Sequence, residues 1–507
     1  MAGTRSFKFL TRNGIADAGQ DEALAELVAA LGASDRKILL HLHGGLIDEK
    51  AGLAIADRLS GNGENSWNLG EDWTQVYVIW RTGALETIRT NWTELSHDDR
   101  LYQTLVRKLI GFVARKLDLP TMEGRSAANV YTLNEAEVQR RLLGLGDRRD
   151  PFGDVDRHLE AGAAAGRAIL TPLQSDAGLA IEFQDELAAD DGFQAAIGDL
   201  DGVANRGVPG RAALPAADEQ RAGASLDRLD PNIQSELAPG INAQERRGVI
   251  SAGIVVLKHV TKIALRCFSR FRSGRDHGLH ATIVEEVCRE LYADLIGAKI
   301  WGMMVQDAAD HFAPGAFGRA LCDGVQAGIQ ARLVVTAHSA GSIWAARLLQ
   351  ALSANGISAS LDLFLLAPAV RQSLFAETFR TAESLIRQCQ MLAMDDAHER
   401  RDAVLGHDQG YIYPSSLLYL VSGLFEARGS DGYPDAPLLG MQRFAVKPWM
   451  SDEEAANAAA IAAFFQRPGN SIVYGPQASV SMSTSHGGFD DDPTTLKSIA
   501  AALKGQA

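Results

Sequence analysis

Apolar residues in this chain collect into short runs separated by polar turns, and the runs come in two periods. Lys37 to His43, Gln75 to Trp80, Leu333 to Ala337, Leu361 to Leu366, Cys389 to Met394 and Ser471 to Tyr474 are nearly continuous apolar stretches. Such runs, without polar alternation, predict strands covered on both faces. Residues 6–12 predict one more short strand. Helical spacing recurs over Asp21 to Leu31, Ala51 to Leu59, Leu101 to Lys116, Ser342 to Leu349, Ser373 to Gln388, Ser415 to Phe425, Glu453 to Phe465 and Pro493 to Leu503. Strands that alternate with helices predict an α/β chain with a mostly parallel central sheet flanked by helices.

The alternation is interrupted once, for a long stretch. Residues 1–85 and 326–507 carry the strand–helix pattern, and 86–325 read as a large, mainly helical insertion or cap. Ile250 to Phe271 and Thr282 to Phe312 predict two long helices joined by the turn Arg272 to Gly278. In that turn Arg275-Asp276-His277 suggests a solvated loop more than a second polar site. The second helix carries Glu285, Glu286, Arg289 and Glu290 as a charged face. Residues 145–246 have no Trp, Tyr, Cys, Met or Lys and are rich in Ala, Gly, Asp and Arg. They predict a loosely packed or partly mobile segment, with helix around Leu179 to Ala188 and Ala216 to Leu229.

Composition narrows the classes. With 507 residues, 46% hydrophobic and 22% charged, there is ample material for a core. A net charge of −14 argues against nucleic acid or an anionic membrane surface as partner. The four cysteines, Cys267, Cys288, Cys322 and Cys389, form no C-x-x-C pair and read as buried thiols of a reducing compartment. The first ten residues are too polar for a signal peptide, and Lys258, His259 and Lys262 interrupt the longest apolar stretch. The expectation is a cytoplasmic protein with no transmembrane segment.

Candidate chemistry centres on Leu333-Val334-Val335-Thr336-Ala337-His338-Ser339-Ala340-Gly341-Ser342. A strand runs into a tight corner of small residues with a serine at its apex, and a helix opens directly after it. That is the setting of a nucleophile elbow, G-x-S-x-G, with Ala337 in place of the first glycine. A strand ending in a polar turn is the plain alternative. A serine hydroxyl needs a base within hydrogen-bond reach. His486 follows the last strand in the small-residue loop Ser485-His486-Gly487-Gly488. The base needs a carboxylate behind it. Asp396 and Asp395 end the strand two after the elbow strand, Asp396 being preferred, with Asp402 and Asp408 as fallbacks. Asp396 could equally cap a turn. For an oxyanion, the N–H of Ala340 opens the helix, and the glycine pair after the first long strand offers Gly45 first and Gly44 second.

This order of glycine loop, serine elbow, late acid and terminal histidine resembles the α/β-hydrolase fold of serine esterases, lipases and thioesterases. The resemblance covers about residues 35–85 and 325–505. It implies Ser339 as nucleophile, His486 as base, Asp396 or Asp395 as acid and Gly44-Gly45 as oxyanion loop. It departs at Ala337 and in the length of the insertion before the elbow. The activity it implies is cleavage of a carboxylic ester or thioester, lipid or acyl chains being plausible if the helices at 250–312 form a lid. No cofactor is implied, and the small-molecule ester is the expected partner. A non-catalytic interaction protein on the same fold, or an effector gated by a protein docking on 86–325, is the competing class. Oligomeric state is left open.

The remaining motifs point elsewhere than to metals or nucleotides. His41 and His43 alternate on a strand but have no carboxylate or cysteine at ligand spacing. His338 is too close in sequence to serve Ser339 as base and is expected to order the elbow. There is no phosphate loop and no dinucleotide fingerprint.

Overall fold

A computed structural model describes residues 5–80, 85–117, 133–164, 176–204, 216–237, 252–426, 435–446, 449 and 451–505. Among these residues the strands are β1 (Arg5–Arg12), β2 (Ile15–Ala16), β3 (Lys37–Leu42), β4 (Trp73–Trp80), β5 (Arg332–His338), β6 (Leu361–Leu366), β7 (Ile386–Met394) and β8 (Ser471–Gly475). They form one sheet in the order β2-β1-β4-β3-β5-β6-β7-β8. All neighbours are parallel except the β1–β2 hairpin.

The continuous apolar runs follow from helices on both faces. Along β3, Ile38, Leu40 and Leu42 enter one core with Leu27, Phe317, Trp344 and Leu348. Leu39 points the other way, to Ala56, Leu59, Tyr77, Leu496 and Ile499. The two-residue period of a strand thus sorts one sequence into two cores. The helices Asp21–Leu31, Phe317–Gly324 and Gly341–Ala354 lie on the first face. Glu49–Ser60 and Pro493–Lys504 lie on the second.

Several expected elements are shorter or divided. The stretch expected as one helix from Thr282 to Phe312 is two, Leu279–Leu291 and Ala298–Asp310. The break ends at Gly297, whose φ of 104° lies in the left-handed region, where a Cβ would fall 2.5 Å from Ile88 Cδ1. The helix expected to reach Gln388 stops at Ala382, because β7 already begins at Ile386. Ser415 to Phe425 is a short α-helix, Leu417–Leu420, widening into a π-helical turn over Val421–Phe425. The first strands pair with the late ones because β3 sits between β4 and β5.

The segment 145–246 lies partly outside the described residues. Where described it is helical, with Asp176–Ala188 and Ala216–Arg228 close to the two helices expected there. Phe183, Phe193 and Leu200 anchor it in the core. Arg81, Thr82 and Gly83 also lie outside the described residues.

The turn Arg275-Asp276-His277 departs from the expected solvated loop. Arg275 and His277 are buried, and so are Glu285 and Glu286 of the expected charged face. Arg270 pairs with Glu285 at 2.7 Å and Glu286 at 3.1 Å. His277 stands between Glu285 (2.8 Å) and Asp435 (3.2 Å), and Arg275 binds Asp435 and Glu454. Charges of opposite sign, each taken from water only with its partner, make this cluster compatible with burial. The four cysteines are buried and free. Among the described residues no helix is long and apolar enough to cross a membrane.

Candidate active site

The corner after β5 is strained and held from several sides. Ser339 has φ 51°, a region L-residues seldom occupy. Its N–H donates to Leu366 O (2.8 Å). Its carbonyl accepts from Ala369 N (3.0 Å), Ser342 N (3.1 Å) and Ser342 Oγ (2.6 Å). Ser342 Oγ in turn accepts from Val370 N at 3.0 Å. Gly341 is required by close approach, since a Cβ there would lie 2.5 Å from Leu42 O and 2.9 Å from His43 O. Ala337 stays in register between Leu42 and Leu365, fully buried.

The loop after β3 presses on the same corner. A Cβ on Gly44 would lie 3.3 Å from Ser339 Cβ, and one on Gly45 2.9 Å from Ala340 Cβ and 1.9 Å from Met304 Sδ. Gly44 therefore faces the serine and Gly45 faces Ala340, with Met304 of the helix Ala298–Asp310 laid against Gly45. Among the described residues neither the N–H of Ala340 nor that of Gly45 donates to another group. Main-chain donors left open beside a hydroxyl, at a helix start, suit an oxygen carrying negative charge.

His486 comes to the serine from 147 residues away, its Nε2 2.8 Å from Ser339 Oγ. Ser339 is 2% and His486 5% exposed, so the pair is enclosed. Burial, together with the charge of His338, depresses the His486 imidazole to about 3, although Asp490 opposes this. A ring that is neutral at pH 7 can accept the hydroxyl proton. Both backbone groups of His486 are also held. Its N–H donates to Asp402 Oδ2 at 2.6 Å, and its carbonyl accepts from His338 Nε2 at 2.8 Å. Its Nδ1 is buried and has no partner among the described residues.

Neither preferred acid reaches this histidine. Asp395 instead caps the helix Asp396–Glu399, accepting from His398 N (2.9 Å) and bonding His398 Nδ1 (2.8 Å). Asp396 binds Arg400 Nε at 3.1 Å and accepts from Tyr419 Oη. The reason is local: β7 stops at Met394, and a cap turns both carboxylates away before the chain returns. The carboxylate that touches His486 is Asp402, one of the two fallbacks. Burial raises its pKa against the lowering effect of the His486 N–H. Asp408, the other fallback, lies in an exposed turn, His407–Gln409.

The other histidines serve structure near the site. His41 bonds Thr336 Oγ1 at 2.9 Å and sits edge-on to Trp67 and Tyr77. Burial lowers it to about 3. His43 Nδ1 donates to Gly44 O at 2.5 Å, bracing the glycine loop. No group of three or more His, Cys, Asp or Glu able to hold a metal occurs among the described residues. His338 does not merely order the elbow, since its ring reaches the loop of His486, a contact that sequence spacing does not signal.

Comparison of the chain with protein-family models, with curated proteins and with solved structures finds no match in any of the three.

Proposed function

We propose that the protein is a serine hydrolase of α/β-hydrolase type that cleaves a carboxylic ester or thioester through an acyl-enzyme on Ser339. The observation that carries this reading is the 2.8 Å contact between Ser339 Oγ and His486 Nε2 at the apex of a strained strand–helix corner. Ser339 Oγ attacks the carbonyl carbon while its proton passes to His486 Nε2. The N–H groups of Ala340 and Gly45 receive the oxyanion. The carbon–oxygen or carbon–sulfur bond then breaks, and the leaving group takes the proton from His486. Water repeats the attack, with His486 accepting its proton, and frees the acid and the serine. Asp402 anchors the loop of His486 through its backbone N–H, and Asp490 is the carboxylate whose charge favours the imidazolium.

Enclosure of the pair favours a second element in this reading, a cover that moves before substrate enters. Met304, seated against Gly45, belongs to that cover, and its helix lies within the stretch expected as a lid over acyl chains. The same enclosure supports the alternative of an effector opened by a protein partner. A fluorophosphonate probe tests the main reading. Wild type should be labelled on Ser339, and Ser339→Ala should not. Equal labelling of both removes the hydrolase. Labelling and turnover that appear only after a partner is added favour the gated effector.

A further inference from the structure

The backbone of His486 is gripped at both ends by buried ionisable side chains, and one of them has its own counter-ion. His338 Nε2 lies 2.8 Å from His486 O, and His338 Nδ1 lies 3.6 Å from Asp490 Oδ2. All three residues are buried. We infer that His338 and Asp490 form a positioning pair, in which the imidazole, anchored by Asp490, holds the His486 carbonyl and so sets the reach of the His486 ring to Ser339. The inference rests on Ser339 and His486 being the reacting pair.

The argument is one of hydrogens. Nε2 carries a hydrogen, because the His486 carbonyl can only accept, while Nδ1 stands 3.6 Å from Asp490 Oδ2, an ion-pair distance longer than a hydrogen bond. Asp490 acts on the ring as a charge, and only the imidazolium turns a second N–H towards it. Asp490 supplies the reason for that charge. Burial would lower the pKa of His338, and the Asp490 carboxylate more than offsets it. Burial would raise Asp490, and the charge of His338 holds it down at about 2. Asp490 is itself fixed, because Arg58 Nη1 donates to its carbonyl at 2.6 Å and Arg58 Nη2 stands 3.7 Å from its carboxylate. The other groups facing His338 are His486, His41 and His43, all held neutral by burial, and Arg58, which lowers it. Loss of a proton removes the ion pair with Asp490 and leaves at most a weaker, neutral bond to the His486 carbonyl, so the grip loosens.

Three variants test the pair: His338→Leu, His338→Gln, whose amide can restore a donor near Nε2, and Asp490→Asn. Rates of fluorophosphonate labelling and of 4-nitrophenyl butyrate hydrolysis are followed from pH 5.5 to 10. The leucine variant should lose roughly 100-fold in kcat with little change in KM, as expected for a misplaced group. Glutamine should recover most of it. Wild type and not the glutamine variant should show an alkaline fall in kcat. A leucine variant as active as wild type, a glutamine variant no better than leucine, or an alkaline fall that persists with glutamine would each overturn the pair. Two readouts do not need turnover. Nitrogen-15 spectra of histidine-labelled protein, followed over the same pH range, should show the His338 ring keeping its second proton to higher pH in wild type than in Asp490→Asn. A crystal structure of the leucine variant should show Ser339 Oγ and His486 Nε2 out of hydrogen-bond range. A ring that loses its second proton no later in wild type than in Asp490→Asn, or an unchanged contact in the leucine variant, overturns the pair. A wild type that is not labelled, yet shows the charged ring and the lost contact, sinks the hydrolase and leaves the pair standing.

Discussion

Asp402→Asn separates the charge of the carboxylate at His486 from its shape. The native contact is Oδ2 to the His486 N–H at 2.6 Å, short enough for a charge-assisted bond. Asparagine keeps an acceptor there, so this bond survives in neutral form, at a cost of about 1 kcal/mol or roughly fivefold in rate. The ring is a separate matter. When His486 takes the serine proton its ring becomes a cation, with a buried Nδ1 that has no partner among the described residues. Asp402 meets only the backbone N–H, so its substitution leaves that cation as it was. The expected result is therefore a fall of about fivefold in the rate of fluorophosphonate labelling, with the melting temperature within a few degrees of wild type. Asp396→Asn is the control. That carboxylate is spent on Arg400 and Tyr419, so its loss should lower stability and leave labelling within about threefold. A fall of about 10³ or more for Asp402→Asn would mean that its carboxylate acts on the ring, against the backbone role its contact defines. A larger loss for Asp396→Asn than for Asp402→Asn would refute the assignment.

Gly45→Ala places a methyl 1.9 Å from Met304 Sδ and 2.9 Å from Ala340 Cβ. The thioether can swing aside but the alanine methyl cannot, so one oxyanion donor is displaced and labelling should fall about 10²-fold. Adding Met304→Ala should not restore it, and full recovery in the double variant would show the effect to be only crowding by sulfur. Stability should fall in acid, read by calorimetry from pH 7 to 4. His41, His280 and His486 are held near 3 by burial, against an ordinary value of 6.5. Between those values the unfolded chain binds more protons, so unfolding becomes easier as pH drops, by about 1 kcal/mol per pH unit for each ring. His280→Phe should make the slope shallower, and a melting temperature flat over this range would contradict the burial of these rings as neutral species.

What the sequence made legible is what local chemistry decides. Runs such as Leu-Val-Val-Thr-Ala and Leu-Asp-Leu-Phe-Leu-Leu can be strands by composition alone, and the serine corner carries its own signature of small residues. His486 taken alone reads as a histidine in a surface turn, and only its place after the last strand, in a chain with a serine elbow, singles it out. The carboxylate that contacts the His486 backbone, Asp402, ranks only as a fallback, because five residues separate it from Asp396 and the choice turns on a helix cap that takes the nearer carboxylates. The break at Gly297 was missed for a related reason, since a single glycine in an apolar pattern is compatible with a continuous helix until Ile88 fills the space a side chain would need. Charges misled most. Arg275, His277, Glu285 and Glu286 read as solvated when taken one at a time, and they are buried because Asp435 and Glu454 arrive from far along the chain to meet Arg275 and His277, while Arg270 pairs both glutamates.

That buried cluster also bears on the site. Tyr413 Oη donates to Glu285 Oε1 at 2.7 Å, which ties the loop following β7 to the helix Leu279–Leu291 of the insertion. The same loop is closed on itself by Ser416 N to Glu399 O (2.8 Å) and Val404 N to Ser415 O (3.0 Å). Asp402 lies between these anchors. Its carboxylate therefore stands where it does partly because Glu285 is pinned by Arg270 and His277. The helix Ala298–Asp310, in the same insertion, supplies Met304 against Gly45. A stretch that looked like an addition to an α/β core thus supports the carboxylate side of the candidate site and covers its glycine side. Movement of the insertion would act on both at once, which gives the gated reading a physical route even though the serine and histidine lie in loops that follow strands of the sheet.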